Sequence, residues 1–297
     1  MTWTPHTRTT HKVVERWPVT ALAALFDDGA DPGDGDPLPP LWHWVALARW
    51  PGSSMTDADG HPRRGDFLPP VALPRRMFAG GEVELRGPIR VGSVVRQESS
   101  VVSVEEKRGR SGPLVVVVTA TELYDEDDRL VLIERQNLVY REAATTGAGQ
   151  ARPVPATPVG RPLSVAVTPD GDAWDFSTDP TLLLRFSAAS SNAHRIHYDW
   201  PYATGVEGYL GLVVQGPLLT LAVIETVRLA VPGARISRLR HRNLSPLFCG
   251  EPARIRSTAG PDDTLVLELA HTDAAPDAPP CVRVDVELDR PPLTTSP

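Results

Sequence analysis

The stretch from Phe186 to Leu219, FSAASSNAHRIHYDWPYATGVEGYLGLVVQGPLL, concentrates the side chains able to move protons. Asn192, His194, His197 and Asp199 fall close together within it. An imidazole of ordinary pKa takes and gives protons near neutrality, so His197 is the leading candidate for general acid–base work. Asn192 cannot ionise, but its amide offers a donor and an acceptor to a water or a hydroxyl. As plain structure it would be a cap or turn residue after Ala188–Ser191. His194 precedes His197 by one helical turn, which would set both on one face of a helix. Asp199, before Trp200-Pro201, reads as a helix N-cap rather than as a catalytic acid. Further on, Gly216-Pro217 opens an apolar helix. Proline at the first helical position loses no intrahelical bond. It leaves the Gly216 N–H as an isolated donor at the positive end of the helix, where a carbonyl oxygen gaining negative charge would be stabilised.

The elements that must hold these residues follow from composition and period. A chain of 297 residues suits two domains of about 150 each. A formal net charge of −7 argues against a nucleic-acid surface. Two cysteines, Cys249 and Cys281, suggest neither a disulfide framework nor a zinc site, and fit a reducing cytoplasm. The N-terminal residues contain no apolar run of the kind that marks a secretory signal. The most apolar window, Leu210–Val231, is interrupted by Gln215, Glu225 and Arg228, as befits a buried helix rather than a membrane span.

Helical spacing predicts a helix over Val14–Asp28 and a buried one over Leu41–Trp50. The period then changes. Gly81–Ile89, Ser93–Lys107, Leu114–Leu123 and Arg129–Tyr140 read as an antiparallel meander rich in valine. Residues 143–162 read as a Pro/Gly/Thr linker. The order then repeats: helices at Thr181–Ala189 and Pro217–Ala230, followed by strands at Ala234–Asn243, Ala253–Thr258, Thr264–His271 and Cys281–Leu288. A helix followed by an antiparallel sheet, twice, is an α+β pattern and suggests duplication. It corresponds to a double hotdog, with two antiparallel sheets each wrapped around a long apolar helix. The expected domains are 1–142 and 163–297.

The segment FSAASSNAHRIHYDWPYA…EGYLGLVVQGPL resembles the 3-methylfumaryl-CoA (mesaconyl-C4-CoA) hydratases and the type 2 hydroxyacyl-thioester dehydratases, within the MaoC-like group. The resemblance extends to LPPLWHW at 38–44, HPRRGDFLPPVALPRRMFAGG at 61–81 and GPIRVG at 87–92. It implies an enzyme that adds or removes water across the double bond beside a thioester carbonyl. In family register the catalytic histidine falls on His197 and the usual aspartate position on Asn192. Gln215 stands where the family usually shows histidine, and Leu210 where it shows proline.

On this reading His197 is the general acid/base, Asn192 fixes the water and the Gly216 N–H receives the oxyanion. His194, Tyr198 and Gln215 would shape the substrate pocket. Arg63, Arg64, Arg75 and Arg76 would meet CoA phosphates or a substrate carboxylate, against the alternative of a solvated basic face. No metal set and no Walker or Rossmann glycine pattern is evident, so CoA or phosphopantetheine is expected as part of the substrate, with no further cofactor. The first half is expected to supply the acyl or CoA groove and to be catalytically silent. A homodimer remains compatible. Two alternatives stand beside the CoA hydratase: a dehydratase acting on a carrier-protein-bound chain, and a non-catalytic binder of acyl thioesters.

Overall fold

The valine-rich runs pair as their alternation requires. In a computed structural model that describes residues 3–109, 112–142, 160–168, 171–261, 264–275 and 277–289, the first half contributes five strands. They are β1 (Arg8–Val13), β2 (Arg75–Leu85), β3 (Val94–Gly109), β4 (Gly112–Tyr124) and β5 (Leu130–Arg141), ordered β1-β3-β4-β5-β2. The second half contributes β6 (Leu163–Thr168), β7 (Gly171–Phe176), β8 (Ile236–Asn243), β9 (Ala253–Ala259), β10 (Thr264–His271) and β11 (Val282–Leu288). From β8 outward these run β8-β11-β10-β9-β7-β6. The halves therefore repeat one strand order, as a double hotdog does.

The two expected sheets are joined edge to edge. β2 pairs antiparallel with β8, from Gly80–Arg242 to Glu84–Arg238, making one continuous eleven-stranded sheet. Sequence explains the seam. Gly80 has φ +140°, and a Cβ there would stand 2.2 Å from the His241 carbonyl oxygen, so only glycine lets the strands close. Glu82 receives both Arg238 and Arg240 across the seam.

Helix α5 (Gly216–Ala230) packs on this sheet, against β10, β11 and β2, while the shorter helices pack mainly against one another. α1 (Arg16–Phe26) buries Val19, Leu22, Ala23 and Phe26, as its spacing predicts. α3 (Pro180–Ala189) is capped by Asp179, whose Oδ1 accepts the Leu182 N–H at 3.0 Å. α4 (Trp200–Gly205) is capped by Asp199, as the sequence implies. α5 (Gly216–Ala230) is buried continuously from Leu218 to Val227, because it is apolar on nearly every side. Its buried Glu225 is met by the Trp42 indole N–H and by Arg228. Burial pushes the Glu225 carboxyl up, against those two partners.

Among the described residues the first half has no counterpart of α5. Leu41–Trp50, expected as a helix, forms only the single turn α2 (His43–Ala46). Its polar handles are pulled two ways: the Trp42 indole to Glu225 on α5, the Trp44 indole and His43 ring to Glu134 on β5. Leu41 adopts φ +69° just before this turn, which keeps the helix from starting earlier, and Pro51, a few residues past Ala46, disfavours helix at the residue before it. Residues 47–74 then run as loops and one 3-10 turn, Ser53–Met55. Most of the predicted linker lies outside the described residues. Among the described residues no helix is long and apolar enough to cross a membrane.

Candidate active site

Two pieces of backbone are tied together at the start of α5. His197 ends the 3-10 turn Arg195–His197, not an α-helix. The Val213 N–H donates to the Ile196 carbonyl at 3.0 Å, and the His197 Nδ1–H donates to the Val213 carbonyl at 2.6 Å. Val213 shortly precedes Gly216, so the imidazole is anchored to the segment that launches the helix. A carbonyl only accepts, so the proton sits on Nδ1 and Nε2 keeps its lone pair. His197 is 6% exposed. Burial, then the neighbouring His194, pushes its pKa down to about 3, against the opposing Val213 bond. The ring is therefore neutral near pH 7 and able to accept a proton.

Asn192 closes a turn: its Oδ1 accepts the His194 N–H at 3.2 Å. Its Nδ2 remains as a donor. Gly216 begins α5 with Pro217 behind it, and among the described residues its N–H has no recorded acceptor. A Cβ on Gly216 would meet the Asn243 amide at 3.0–3.3 Å, so a side chain there would crowd this corner.

Asn192, His197 and Gly216 all line one cavity of about 910 Å³. Its opposite wall comes from the first half, including Arg75, Arg76 and Leu138. The cavity is thus shared by both halves. His194 lines it too. Its ring lies edge-on to His197, with centroids 5.5 Å apart, and its Nε2 is 3.7 Å from Glu207 Oε1. Glu207 is also bound by Arg75 Nε at 2.9 Å. Burial raises the Glu207 carboxyl, but His194 and Arg75 outweigh it and hold it below the ordinary range. Arg76 makes no ion pair among the described residues.

The other expected contact residues are elsewhere. Tyr198 is 43% exposed and spends its hydroxyl on the Ala193 carbonyl. Gln215 is fully buried and turned toward α3, donating to the Leu183 carbonyl and Ser187 Oγ at 2.8 and 2.9 Å. Arg64 staples its own loop, donating to the carbonyls of Val71, Leu73 and Pro74. Arg63 is exposed and outside the cavity wall.

The sequence reading missed a group that the first half delivers. His61 lines the cavity with its ring tilted against that of His194, centroids 4.0 Å apart. Asp59 holds it by both carboxylate oxygens: Oδ1 accepts the His61 backbone N–H at 2.9 Å and Oδ2 faces Nδ1 at 3.0 Å. Burial and then Arg76 push the His61 pKa down to about 3, with Asp59 opposing. Asp59, His61 and His194 present possible ligand atoms within 4.8 Å of one another, a spacing open to a cation. Arg75 and Arg76 bring positive charge to the same corner and work against one. In the sequence this dyad shows only as Asp-Gly-His in a turn-rich loop, a weak signal.

The profile of the family "hydroxyacyl-thioester dehydratase type 2" matches residues 41–249. The chain is 39% identical over 259 residues to the mesaconyl-C4-CoA hydratase of Chloroflexus aurantiacus, spanning 86% of this chain and 87% of that one. A solved MaoC-like dehydratase from Phytophthora capsici is similar with a TM-score of 0.63 at 17% identity, over 97% of each chain. A Mycobacterium tuberculosis protein described as a double hotdog gives a TM-score of 0.57 at 13% identity, over 97% of this chain and 96% of that one.

Proposed function

The chain belongs to the type 2 hydroxyacyl-thioester dehydratase family, and from that premise we propose that it hydrates the α,β double bond of a short, carboxylated enoyl-CoA, or removes water from the corresponding 3-hydroxyacyl-CoA. It is a hydro-lyase of the hydratase/dehydratase type acting on thioesters. The observation that carries the site assignment is the commitment of His197 Nδ1 to Val213, which leaves a proton-free Nε2 in the cavity that also holds the start of α5.

In hydration the thioester oxygen rests on the Gly216 N–H. A water sits against Asn192, whose Nδ2 donates to one of its lone pairs. His197 Nε2 takes a proton from that water as its oxygen bonds to Cβ. The π electrons move onto the thioester oxygen, and the Gly216 N–H at the positive helix end stabilises the charge. The enolate then closes by taking a proton at Cα. Each proton-transfer group in such a step typically contributes about 10²–10⁴ in rate.

Arg76 supports a free carboxylate on the acyl group. It reaches the cavity without an ion-pair partner among the described residues, whereas Arg75 beside it is already matched by Glu207. This agrees in chemistry with a mesaconyl-C4-CoA-like substrate. CoA enters as part of the substrate, with no other cofactor in the scheme.

The test is to follow loss of enoyl absorbance with mesaconyl-C4-CoA, crotonyl-CoA and the matching carrier-protein thioesters. Turnover is expected with CoA esters, fastest with the carboxylated one. Unchanged turnover in His197→Ala would remove the mechanism. Preference for the carrier-protein thioester would replace the CoA assignment.

A further inference from the structure

The double bond has two ends, and Asn192 cannot supply a second acid or base. A second titratable ring nevertheless faces the same cavity, from the half of the chain that lacks the Asn-His cluster. His61 comes from the loop before β2 and is fixed there by several independent contacts. The Arg195 N–H donates to the Asp59 carbonyl at 2.9 Å, and Arg195 Nη1 donates to the Ala58 carbonyl at 3.2 Å. Gly60, at φ +90°, lies so close to the catalytic stretch that a Cβ would stand 1.8 Å from the Ala193 carbonyl oxygen. The loop is thus docked onto the segment that carries Asn192, His194 and His197. Asp59 uses both oxygens to set the His61 ring, one on its backbone N–H and one on Nδ1. With Nδ1 held by a carboxylate, Nε2 is the working nitrogen, as in other carboxylate–imidazole pairs.

We propose that His61, oriented by Asp59, is the second catalytic proton-transfer residue, exchanging the proton at Cα while His197 exchanges the proton of the water at Cβ. The proposal rests on the hydratase reading above. In hydration one proton leaves water for His197 Nε2 and one passes from His61 Nε2 to Cα as the enolate electron pair forms the C–H bond. His197 then releases its proton to solvent and His61 takes one from solvent, so both rings are restored and the net reaction consumes one water. In dehydration His61 Nε2 takes the Cα proton, His197 donates one to the departing hydroxyl, and solvent restores both rings. His194 packs against both, with ring centroids 4.0 Å from His61 and 5.5 Å from His197. The arrangement gives Asp59 and His194 a positioning part that a one-base mechanism leaves without use.

The decisive experiment separates the two ends of the bond. Butyryl-CoA has no leaving hydroxyl, so exchange of its Cα hydrogen with D2O needs only the Cα base and the oxyanion donor. Exchange is expected to persist in His197→Asn and to be lost in His61→Asn. In the hydration assay His61→Asn is expected to lower kcat about 100-fold or more with KM changed only a few-fold. Asp59→Asn should lower it less. Added imidazole should restore part of the turnover of His61→Gly, which a merely structural role would not allow. Circular dichroism checks that each variant is folded. Exchange lost in His197→Asn and kept in His61→Asn overturns the proposal, as does wild-type kcat in His61→Asn. So does turnover that a chelator abolishes and Zn²⁺ restores, since the trio would then be a metal centre. Wild-type protein inactive on every thioester tested would instead sink the hydratase reading itself, an outcome the variants do not mimic.

Discussion

The two halves repeat one strand order and differ in what fills it. In the second half α5 packs against β10 and β11, buried from Leu218 to Val227. In the first half the equivalent stretch collapses to α2 and a long loop, and the cavity reaches across β2, β4 and β5 instead. A packed helix and a void are alternative uses of the same space. The second half keeps its helix and with it a positive N-terminus; the first gives up its helix and gains room for an acyl chain. Neither use suffices alone, because the dipole needs a ligand to act on and the void needs a charge to orient its contents.

Replacing His197 by alanine should have the largest effect, lowering kcat by about 10²–10⁴ in a continuous enoyl-CoA assay, which would place the obligatory chemistry in the helix-bearing half. Gly60→Ala attacks the join between the halves. Its Cβ cannot fit against Ala193, so the loop must move, and a displacement of about 1 Å at a positioned group can cost on the order of 100-fold in kcat. Thermal unfolding of that variant should show a loss of about 1–3 kcal/mol from strain at the φ +90° position.

Arg76→Met tests whether the void reads charge. The kcat/KM for a carboxylated thioester should fall roughly 10- to 100-fold, corresponding to about 1.5–3 kcal/mol for a charged hydrogen bond. Crotonyl-CoA should be nearly unaffected, and equal losses for both would contradict a carboxylate role. Gln215→Leu should destabilise by about 1–3 kcal/mol, because the Leu183 carbonyl and Ser187 lose their donor. Its activity should stay within about 3-fold of wild type, since the side chain faces α3 and not the cavity.

The last effect is read on stability against pH and leaves turnover aside. His61, His197 and His241 have folded pKa values pushed by burial to about 3, 3 and 4, from an ordinary 6.5. Between those values the unfolded chain binds more protons, so stability rises with pH up to about 6.5 and then levels. Melting temperature should therefore fall from pH 7 to pH 5, a range in which ordinary carboxylates titrate little. A flat profile would mean that these rings are not buried neutral.

How much of this could be read from sequence depends on the range of the interactions. The valine ladders, α5 and the Asp199 cap were legible because period and capping are local. Asn192, His197 and Gly216 could be singled out because they lie on one short stretch, which the fold brings to one cavity. β1, β6 and β7 were not, since RTTHKV, LSVAVT and GDAWDF are short strands toward the sheet's outer edges with little apolar signal. The end of the Leu41–Trp50 helix was set by partners on β5 and α5 far along the chain. Arg64 looked like an anion site, but its guanidinium found three carbonyls in its own loop. Asp59 and His61 carried no periodic mark; only docking of their loop against Ala193 and Arg195 gives them neighbours.

The seam between β2 and β8 has a consequence for how a substrate arrives. Swinging the halves apart like a clam would tear a ladder from Gly80–Arg242 to Glu84–Arg238 and separate Glu82 from its two arginines. Such a hinge is closed to this molecule. The loop segment 47–74, by contrast, adds His61, Pro62 and Leu68 to the cavity wall without being held in a strand ladder, and so is free to shift where the sheet is not. Admission of the acyl chain and assembly of its proton path then depend on the same piece of chain, so a guest that leaves this loop displaced would be bound and not turned over.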